Sequence, residues 1–553
     1  MRICTKRAAD TAAAATTADQ TRTLLSHNGY GLAKDQCTGR ELQRVRKDLT
    51  VSPFVMRGFG PAKPRAYPIY RESDARLYVP RHYGIAGFGD PDAARIGLGD
   101  SAPRLQFKGK LRPLQRRAVA AFEATLGPTP DSRPTARYPH GGIMSLACGQ
   151  GKTILALYIA ALIGRKTLVV VHKEFLMHQW HERIRQFLPG ATVGLIQQKK
   201  VDVRGKDVVL AMLQSLSVRD YPTDVLASFG LVVCDECHHL SSEMFCRALP
   251  KIGARVTLGL SATPQRADGL TKVFKWYLGD VLFKSARPRD DRVVARVARI
   301  ELDAVAAGYG DELVMRYTGN ANTAGMINNI AGDTNRTALL AALARVLVRP
   351  AGRQLLVLSG RRQHLEDIHE ALVVQLPDGA ADPLAASVGY YVGGMNQDAL
   401  KASESCRVVL ATYTMAAEGL DIKTLNTLML ATPMSNVTQA VGRILRAVDP
   451  TTPPLVVDLV DDFSVFTRQG EKRLRVYRRE NFDAVATVAP DGPPASWDAA
   501  APAVVAEATR LLDAKVKAMR ADGTKKKRSS RGTKNNRTVT LDIAELFGPE
   551  VEA

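Results

Sequence analysis

Short, largely apolar runs recur along this chain and alternate with segments patterned at helical spacing. Thr167–Val171 (TLVVV), Val208–Met212 (VVLAM), Leu231–Cys234 (LVVC) and Val256–Ser261 (VTLGLS) form a first series. Leu355–Ser359 (LLVLS), Val408–Thr412 (VVLAT), Leu425–Ala431 (LNTLMLA) and Leu455–Val460 (LVVDLV) form a second. Runs that are apolar at nearly every position, with helices between them, predict strands buried on both faces of a parallel sheet. Two α/β sheets are therefore expected. The predicted regions are a mixed N-terminal part (1–104), a first α/β domain (105–284), a connecting stretch (285–350), a second α/β domain (351–482) and a C-terminal part (483–553). In the last, Ala489–Pro502 (APDGPPASWDAAAP) reads as a linker, followed by a helical segment to Arg520 and a basic tail. The two α/β regions share an architecture without a residue-level repeat.

Composition narrows the class. With 553 residues, two to four domains are expected, and 45% hydrophobic with 24% charged residues is an ordinary globular balance. The net charge is +21, of which the interval Lys515–Arg537 carries +9; the rest of the chain is still basic, which points to a polyanionic partner. The longest apolar run, Ile154–Ile163, is too short for a membrane span. Seven irregularly spaced cysteines suit a reducing compartment better than a disulfide framework. No signal-peptide core opens the chain, and its Ala/Thr-rich start with Arg2, Lys6 and Arg7 fits a frayed terminus better than a transit peptide. A soluble intracellular protein with no membrane partner is expected.

The strongest local chemistry is CGQGKT, Cys148–Thr153, between the apolar run Ile143–Ala147 and a helix-length apolar segment. A strand, a tight glycine-containing loop and a helix start bring backbone N–H groups around a phosphate. Gly149, Gln150 and Gly151 would form the cradle, Lys152 would reach the β- and γ-phosphates, and the Thr153 hydroxyl would hold Mg²⁺. The full phosphate-loop pattern places a glycine where Leu146 stands. DECH, Asp235–His238, follows Lys152 by 83 residues at the end of the run LVVC. A strand-ending Asp235 can hold Mg²⁺ and Glu236 can orient an attacking water. A zinc site built from Cys234, Cys237, His238, His239 and Cys246 is the rival, disfavoured because strand alternation turns Cys234 inward. Ser261 and Thr263 (SAT) end another first-series strand, where hydroxyls can relay nucleotide state. In the second series, Gln439, Gly442, Arg443 and Arg446 recur at helical spacing and form one face. Such a face can present arginines to a γ-phosphate; a solvated basic helix face is the alternative.

The ordered set of motifs resembles the superfamily 2 helicases, in the branch that holds the XPB-type DNA helicases, and more closely the helicases of nucleocytoplasmic large DNA viruses. The likeness is carried by Leu111–Gln115, Val169–Trp180, Met212–Ser217, Ser261–Asp280, Ala417–Ile422, Gly389–Met395, Gln439–Arg446 and Val460–Gly470, with Tyr70–Gly84 familiar from the viral group. It covers roughly residues 70–479. The resemblance implies two tandem RecA-like P-loop domains with parallel sheets, an N-terminal accessory region and a basic C-terminal tail. It implies that Gln115 reads adenine and that Gly419 and Asp421 contact the nucleotide. It further implies that Lys173, Gln214 and Ser215 grip nucleic acid from the first domain, and Ser359, Arg361 and Thr412 from the second. One departure stands out: where XPB-type enzymes carry Arg-Glu-Asp after SAT, this chain has Arg266, Ala267 and Asp268.

The expected activity is ATP hydrolysis, with ATP and Mg²⁺, coupled to movement on or unwinding of nucleic acid, DNA favoured over RNA, in viral transcription, replication or repair. Transcription or replication machinery would be the protein partner. Two other classes stay open: a duplex translocase or transcript-release ATPase without strand separation, and a non-catalytic nucleic-acid-binding subunit. The tail motif Lys525–Arg528 (KKKR) suits nuclear import, phosphate binding or simple solvation equally, and a viral origin would suit a virion or viral factory. Val539–Gly548 (VTLDIAELFG) reads as either a docking peptide or a capping helix.

Overall fold

The computed structural model describes residues 21–53, 65–126, 140–147, 149–240, 243–262, 269–285, 296–302, 304–305, 307–315, 319–348, 352–373, 384, 387–418, 420, 422–445, 452, 454–479 and 483–488. These residues fall into two compact units, one up to residue 285 and one from residue 296. The basic tail and Val539–Gly548 lie outside the described residues.

The first unit opens with a small sheet. Its strands are β1 (Thr23–Ser26), β2 (Gly29–Ala33), β5 (Arg71–Glu72), β6 (Arg76–Val79) and β7 (Ala93–Ala94), in the order β5-β6-β2-β1-β7, while β3 (Thr50–Val51) and β4 (Tyr67–Pro68) pair separately. Between β2 and β3, Thr38 starts the helix Gly39–Asp48 with a capping box: its Oγ1 accepts from the Glu41 N–H, and Glu41 Oε2 accepts from the Thr38 N–H.

The large sheet of this unit comprises β8 (His140–Ser145), β9 (Thr167–Val171), β10 (Val193–Gln197), β11 (Lys200–Asp202), β12 (Val208–Met212), β13 (Leu231–Cys234), β14 (Val256–Ser261) and β15 (Val281–Lys284). Their order is β11-β10-β12-β9-β13-β14-β8-β15, parallel apart from the β10–β11 hairpin. Alternate residues feed two cores. Ile143, Leu168, Val170, Val232 and Cys234 face one side, and Met144, Val169, Val171, Leu231 and Val233 face the other. That two-sided burial is why the central strands β9, β12 and β13 are nearly continuous apolar runs. The N-terminal sheet packs into the first of these cores through Leu25, Tyr30 and Leu32. Polar contacts reinforce the joint: the buried Arg81 guanidinium donates to the carbonyls of Ala254 (2.7 Å) and Arg255 (3.1 Å), and the Tyr277 hydroxyl donates to the Ile69 carbonyl (3.0 Å).

The second unit is a seven-stranded parallel sheet of β16 (Arg296–Leu302), β17 (Leu355–Ser359), β18 (Val388–Tyr391), β19 (Val408–Thr412), β20 (Thr427–Leu430), β21 (Leu455–Asp461) and β22 (Asp483–Val488), ordered β18-β19-β17-β20-β21-β16-β22. Leu355, Val357, Val408 and Leu410 face one core and Leu356, Leu358, Val409 and Ala411 the other. The protein is thus α/β, with two tandem RecA-like units.

Two boundaries differ from the sequence reading. Residues 285–350 were expected to connect the domains, yet β16 and the helices Thr323–Gly332 and Thr334–Leu347 belong to the second unit, and β22 extends the sheet past residue 482. The sequence of β16, RVARIEL, alternates apolar with charged residues, unlike the continuous runs that marked the other strands.

Candidate functional site

The carboxyl ends of β8, β13 and β14 lie side by side, because β14 sits between the other two. This edge collects CGQGKT, DECH and the first residues of SAT, the place where parallel α/β sheets carry their ligand-binding loops. The helix Lys152–Ile163 begins at the end of the phosphate loop, capped by Gly151 in the left-handed region (φ 79°), with Gly149 also left-handed (φ 80°). Lys152 and Thr153 both occupy the first helical turn, half-buried. Gln150 folds back: its Oε1 accepts from the Ala147 N–H (2.9 Å) and from the Ser285 hydroxyl. Gln115 is buried against the same loop. Its Nε2 donates to the Gln150 and Gly151 carbonyls (3.3 and 3.1 Å), and its Oε1 accepts from the Arg112 N–H (2.8 Å). The left-handed backbone at Gly151 favours glycine, and a Cβ there would also lie 2.4 Å from Gln115 Nε2 and push that amide off the loop.

Across this edge, Lys152 Nζ donates to Glu236 Oε1 at 2.8 Å. Glu236 holds a left-handed backbone (φ 45°), a strained conformation for a residue with a Cβ and one that tends to mark functional turns. Asp235 is buried. Its Oδ1 accepts from the Glu236 N–H (2.9 Å) and its Oδ2 from Trp180 Nε1 (2.8 Å). Burial first, and then the charge of Glu236, push the Asp235 carboxyl above the usual range, while Lys152 and Trp180 pull the other way. Two adjacent carboxylates in a buried setting fit a hard divalent cation that takes oxygen ligands. Ser261 Oγ shares a hydrogen bond with His238 Nδ1 (2.9 Å), and the same nitrogen lies 3.4 Å from Glu236 Oε2, so DECH and the start of SAT touch. Cys234 and Cys237 are buried in the apolar core, and burial raises both thiols, which disfavours the thiolates a zinc site would use. Thr263, with Arg266, Ala267 and Asp268, lies outside the described residues.

The residues expected to grip nucleic acid cluster within each unit. Lys173 caps the helix Glu174–Phe187 just after β9; Gln214 Nε2 donates to the His172 carbonyl (2.8 Å), and Ser215 Oγ accepts from the Gln198 N–H (2.8 Å). Lys173, Gln214 and Ser215 thus share the edge formed by the neighbouring strands β9 and β12. In the second unit, Ser359 and Thr412 end the paired strands β17 and β19. Ser359 Oγ shares a hydrogen bond with His364 Nδ1 (3.1 Å) and accepts from the Arg361 N–H (3.1 Å), and Arg361 Nε donates to Asn328 Oδ1 (2.6 Å).

Gln439, Gly442 and Arg443 lie on the short helix Thr438–Ile444. Arg443 is buried, not a solvated face, and its Nε donates to the Ala416 carbonyl (2.9 Å). Gly419, Asp421 and Arg446 lie outside the described residues. Several residues near these elements had no role in the sequence reading. Trp180 binds Asp235. Arg336 bridges Asp461 (2.8 Å) and donates to the Ala431 carbonyl, and Arg473 bridges Asp458 (2.9 Å) and donates to the Met434 carbonyl (2.6 Å). Thr432, between those carbonyls, accepts from the Gly360 N–H (2.8 Å) through its hydroxyl and from the Tyr413 hydroxyl through its own carbonyl. Both arginines therefore fix the loop that leads into the helix of Arg443.

Known proteins place this architecture. Residues 108–266, which hold the phosphate loop and DECH, match the family described as "Type III restriction enzyme, res subunit". The chain is 30% identical over 474 residues to "Putative ATP-dependent RNA helicase L396" of Acanthamoeba polyphaga mimivirus, covering 84% of this chain and 87% of that protein. It is 27% identical to "Probable helicase D10" of Escherichia phage T5 (62% and 72% of the two chains) and 26% identical to "Putative helicase 161L" of invertebrate iridescent virus 6 (68% and 82%). A solved structure described as "The fragment structure of a putative HsdR subunit of a type I restriction enzyme from Vibrio vulnificus YJ016" aligns over 70% of each chain at 16% identity with a TM-score of 0.47. By the length and extent of its match to the mimivirus protein, the chain belongs to the superfamily 2 helicases, alongside these viral members.

Proposed function

We propose that the protein is an ATP-dependent motor that converts hydrolysis into movement along, or unwinding of, nucleic acid. The observation that carries this reading is the meeting of Lys152 with Glu236, beside Asp235, at the carboxyl edge of a parallel sheet. In the proposed site, Gly149, Gln150 and Gly151 cradle the phosphates, Lys152 binds the β- and γ-phosphates, and Glu236 orients water. Thr153 and Asp235 would hold Mg²⁺, which supplies charge neutralisation on the phosphates. Gln115 steadies the loop and reads the base. Gly419, Asp421, Gln439, Arg443 and Arg446 are proposed to act on the nucleotide from the second unit, and Ser261 and Thr263 to relay its state. Lys173, Gln214 and Ser215, with Ser359, Arg361 and Thr412, would hold the nucleic-acid backbone; phosphate contacts of this kind carry little sequence preference.

The finer assignment is a DECH-type enzyme of the XPB-like branch, acting on DNA in viral transcription, replication or repair. The overall basic charge supports a nucleic-acid track without distinguishing its sugar. The name of the mimivirus relative, an RNA helicase, favours a second reading, in which the track is RNA. ATPase assays with single-stranded DNA, duplex DNA and RNA side by side, paired with a strand-displacement assay, test both. Stimulation by single-stranded DNA with displaced product supports the first reading. RNA-only stimulation supports the second, and duplex stimulation without displaced product makes the protein a translocase. No hydrolysis under any condition refutes the motor.

A further inference from the structure

The buried hydrogen bond between Trp180 and Asp235 joins two places that the proposed function treats separately. Trp180 lies on the helix Glu174–Phe187, whose cap is Lys173, on the edge expected to meet nucleic acid. Asp235 lies at the nucleotide edge. We propose that Trp180 is a positioning residue through which the helix Glu174–Phe187 couples nucleic-acid contact at Lys173 and Gln214 to the orientation of the Asp235 carboxylate. This inference rests on the motor reading above.

The two ends of the helix are held differently. Its first turn is tied by polar side chains at or near the surface: Gln214 Nε2 on the His172 carbonyl (2.8 Å) and Gln197 Nε2 on Glu174 Oε1 (3.2 Å). The Lys173 cap makes no side-chain hydrogen bond to the helix start. A phosphate that binds Gln214 competes directly for the tie to the His172 carbonyl, and one that binds Lys173 pulls on the cap residue of the helix itself. Trp180, seven residues on and therefore about 10 Å along the axis, is 2% exposed and sits in the apolar core. A helix is stiff over two turns, so a shift of its start is delivered to the indole. The indole N–H ends on a carboxylate oxygen, a charge-assisted bond stronger and more directional than a bond to a carbonyl. Asp235 has little freedom to ignore it, because its other oxygen is fixed by the Glu236 N–H.

The test uses the full chain in two arms. The chain has three tryptophans, so Trp276→Phe/Trp497→Phe leaves Trp180 as the sole indole. Saturating oligo-dT or oligo-U, with binding verified by anisotropy of a labelled strand, should change Trp180 emission without nucleotide. Unchanged emission at saturation overturns the coupling. In the second arm, Trp180→Phe keeps a ring and removes the N–H. Nucleic-acid-stimulated kcat should fall about tenfold to hundredfold, while KM for ATP and the strand affinity stay within about twofold. A folded Trp180→Phe protein with wild-type stimulation overturns the proposal; if that variant does not fold, the emission arm decides alone. Absence of hydrolysis in the wild type would instead fail the motor reading, and Trp180 emission would still judge the coupling.

Discussion

Lys152 Nζ and Glu236 Oε1 stand 2.8 Å apart, although 84 residues separate them in the chain. The pair is largely buried, at 12% and 18% side-chain exposure, and it ties the first turn of one helix to the strained turn after β13. Lys152→Ala should abolish ATP hydrolysis, because the point charge on the β- and γ-phosphates is lost. The same change leaves Glu236 without its cation beside a second carboxylate, so the ligand-free protein should lose about 1–3 kcal/mol of stability. Turnover and urea unfolding measured on one preparation check both, and wild-type turnover in the folded variant would refute the site.

Glu236→Gln separates binding from chemistry. The amide keeps the size of the side chain and can still accept from Lys152, but it loses the charge that polarises water. ATP binding should be near normal, turnover should drop by orders of magnitude, and the nucleic-acid complex should become long-lived. Fluorescent-nucleotide titration and single-turnover kinetics measure the two steps independently.

Acid should unfold the protein through two buried imidazoles. Burial, with Arg81 adding a smaller push, lowers His82 to about 3, and burial with Arg336 lowers His364 to about 3. An unfolded histidine titrates near 6.5, so between about pH 6.5 and 3 the unfolded state binds more protons than the folded one. The sign follows: the stability is present above about pH 6.5 and is lost as the pH falls toward 3. Each group can account for a few kcal/mol over that window. Denaturant unfolding between pH 7 and pH 4 should show the slope, and His82→Leu or His364→Leu should flatten it. Equal slopes in all three proteins would remove the histidines from the explanation.

Among the described residues of the second unit, Arg336–Asp461 and Arg473–Asp458 are buried ion pairs, with every side chain at 1% exposure or less. Removing one charge leaves the other stranded, so Arg473→Met should cost about 3–5 kcal/mol. The double change Arg473→Met/Asp458→Leu should recover most of that loss, because an apolar pair carries no desolvation penalty. Thermal melting of the single and double variants measures the difference. A double variant no more stable than the single would mean that the Met434 carbonyl and Tyr477 hydroxyl contacts dominate.

These pairs also mark how far the sequence was legible. Strands buried on both faces announce themselves as continuous apolar runs, and the runs from TLVVV to LVVDLV correspond to paired strands. β16 escaped because charged residues interleave its apolar ones. Phosphate-loop and DECH residues were visible because their chemistry is confined to short contiguous motifs. Trp180 was not, since its partner lies 55 residues away and an indole among apolar neighbours reads as core. Arg336 and Arg473 were missed for the complementary reason: arginine is by default a surface residue. The signal lay in β21, LVVDLVD, where Asp458 and Asp461 interrupt a buried run and require cations.

Arg443 supplies the last prediction. Its guanidinium is buried and its Nε donates to the Ala416 carbonyl, while Arg473 and Arg336 fix the loop that precedes its helix. Truncation therefore has two separable consequences. Arg443→Ala should destabilise the second unit by about 1–3 kcal/mol, because the Ala416 carbonyl loses a partner in a buried setting. If Arg443 serves the nucleotide as proposed, hydrolysis should also fall by roughly 10³ or more, the scale of an arginine that stabilises phosphoryl transfer. ATP affinity should change little, since the phosphate loop and Gln115 belong to the first unit. Arg443→Lys keeps the charge and one donor nitrogen but loses the planar fork, so it should restore much of the stability and little of the rate. Hydrolysis that recovers in step with stability in Arg443→Lys would assign Arg443 to the fold alone.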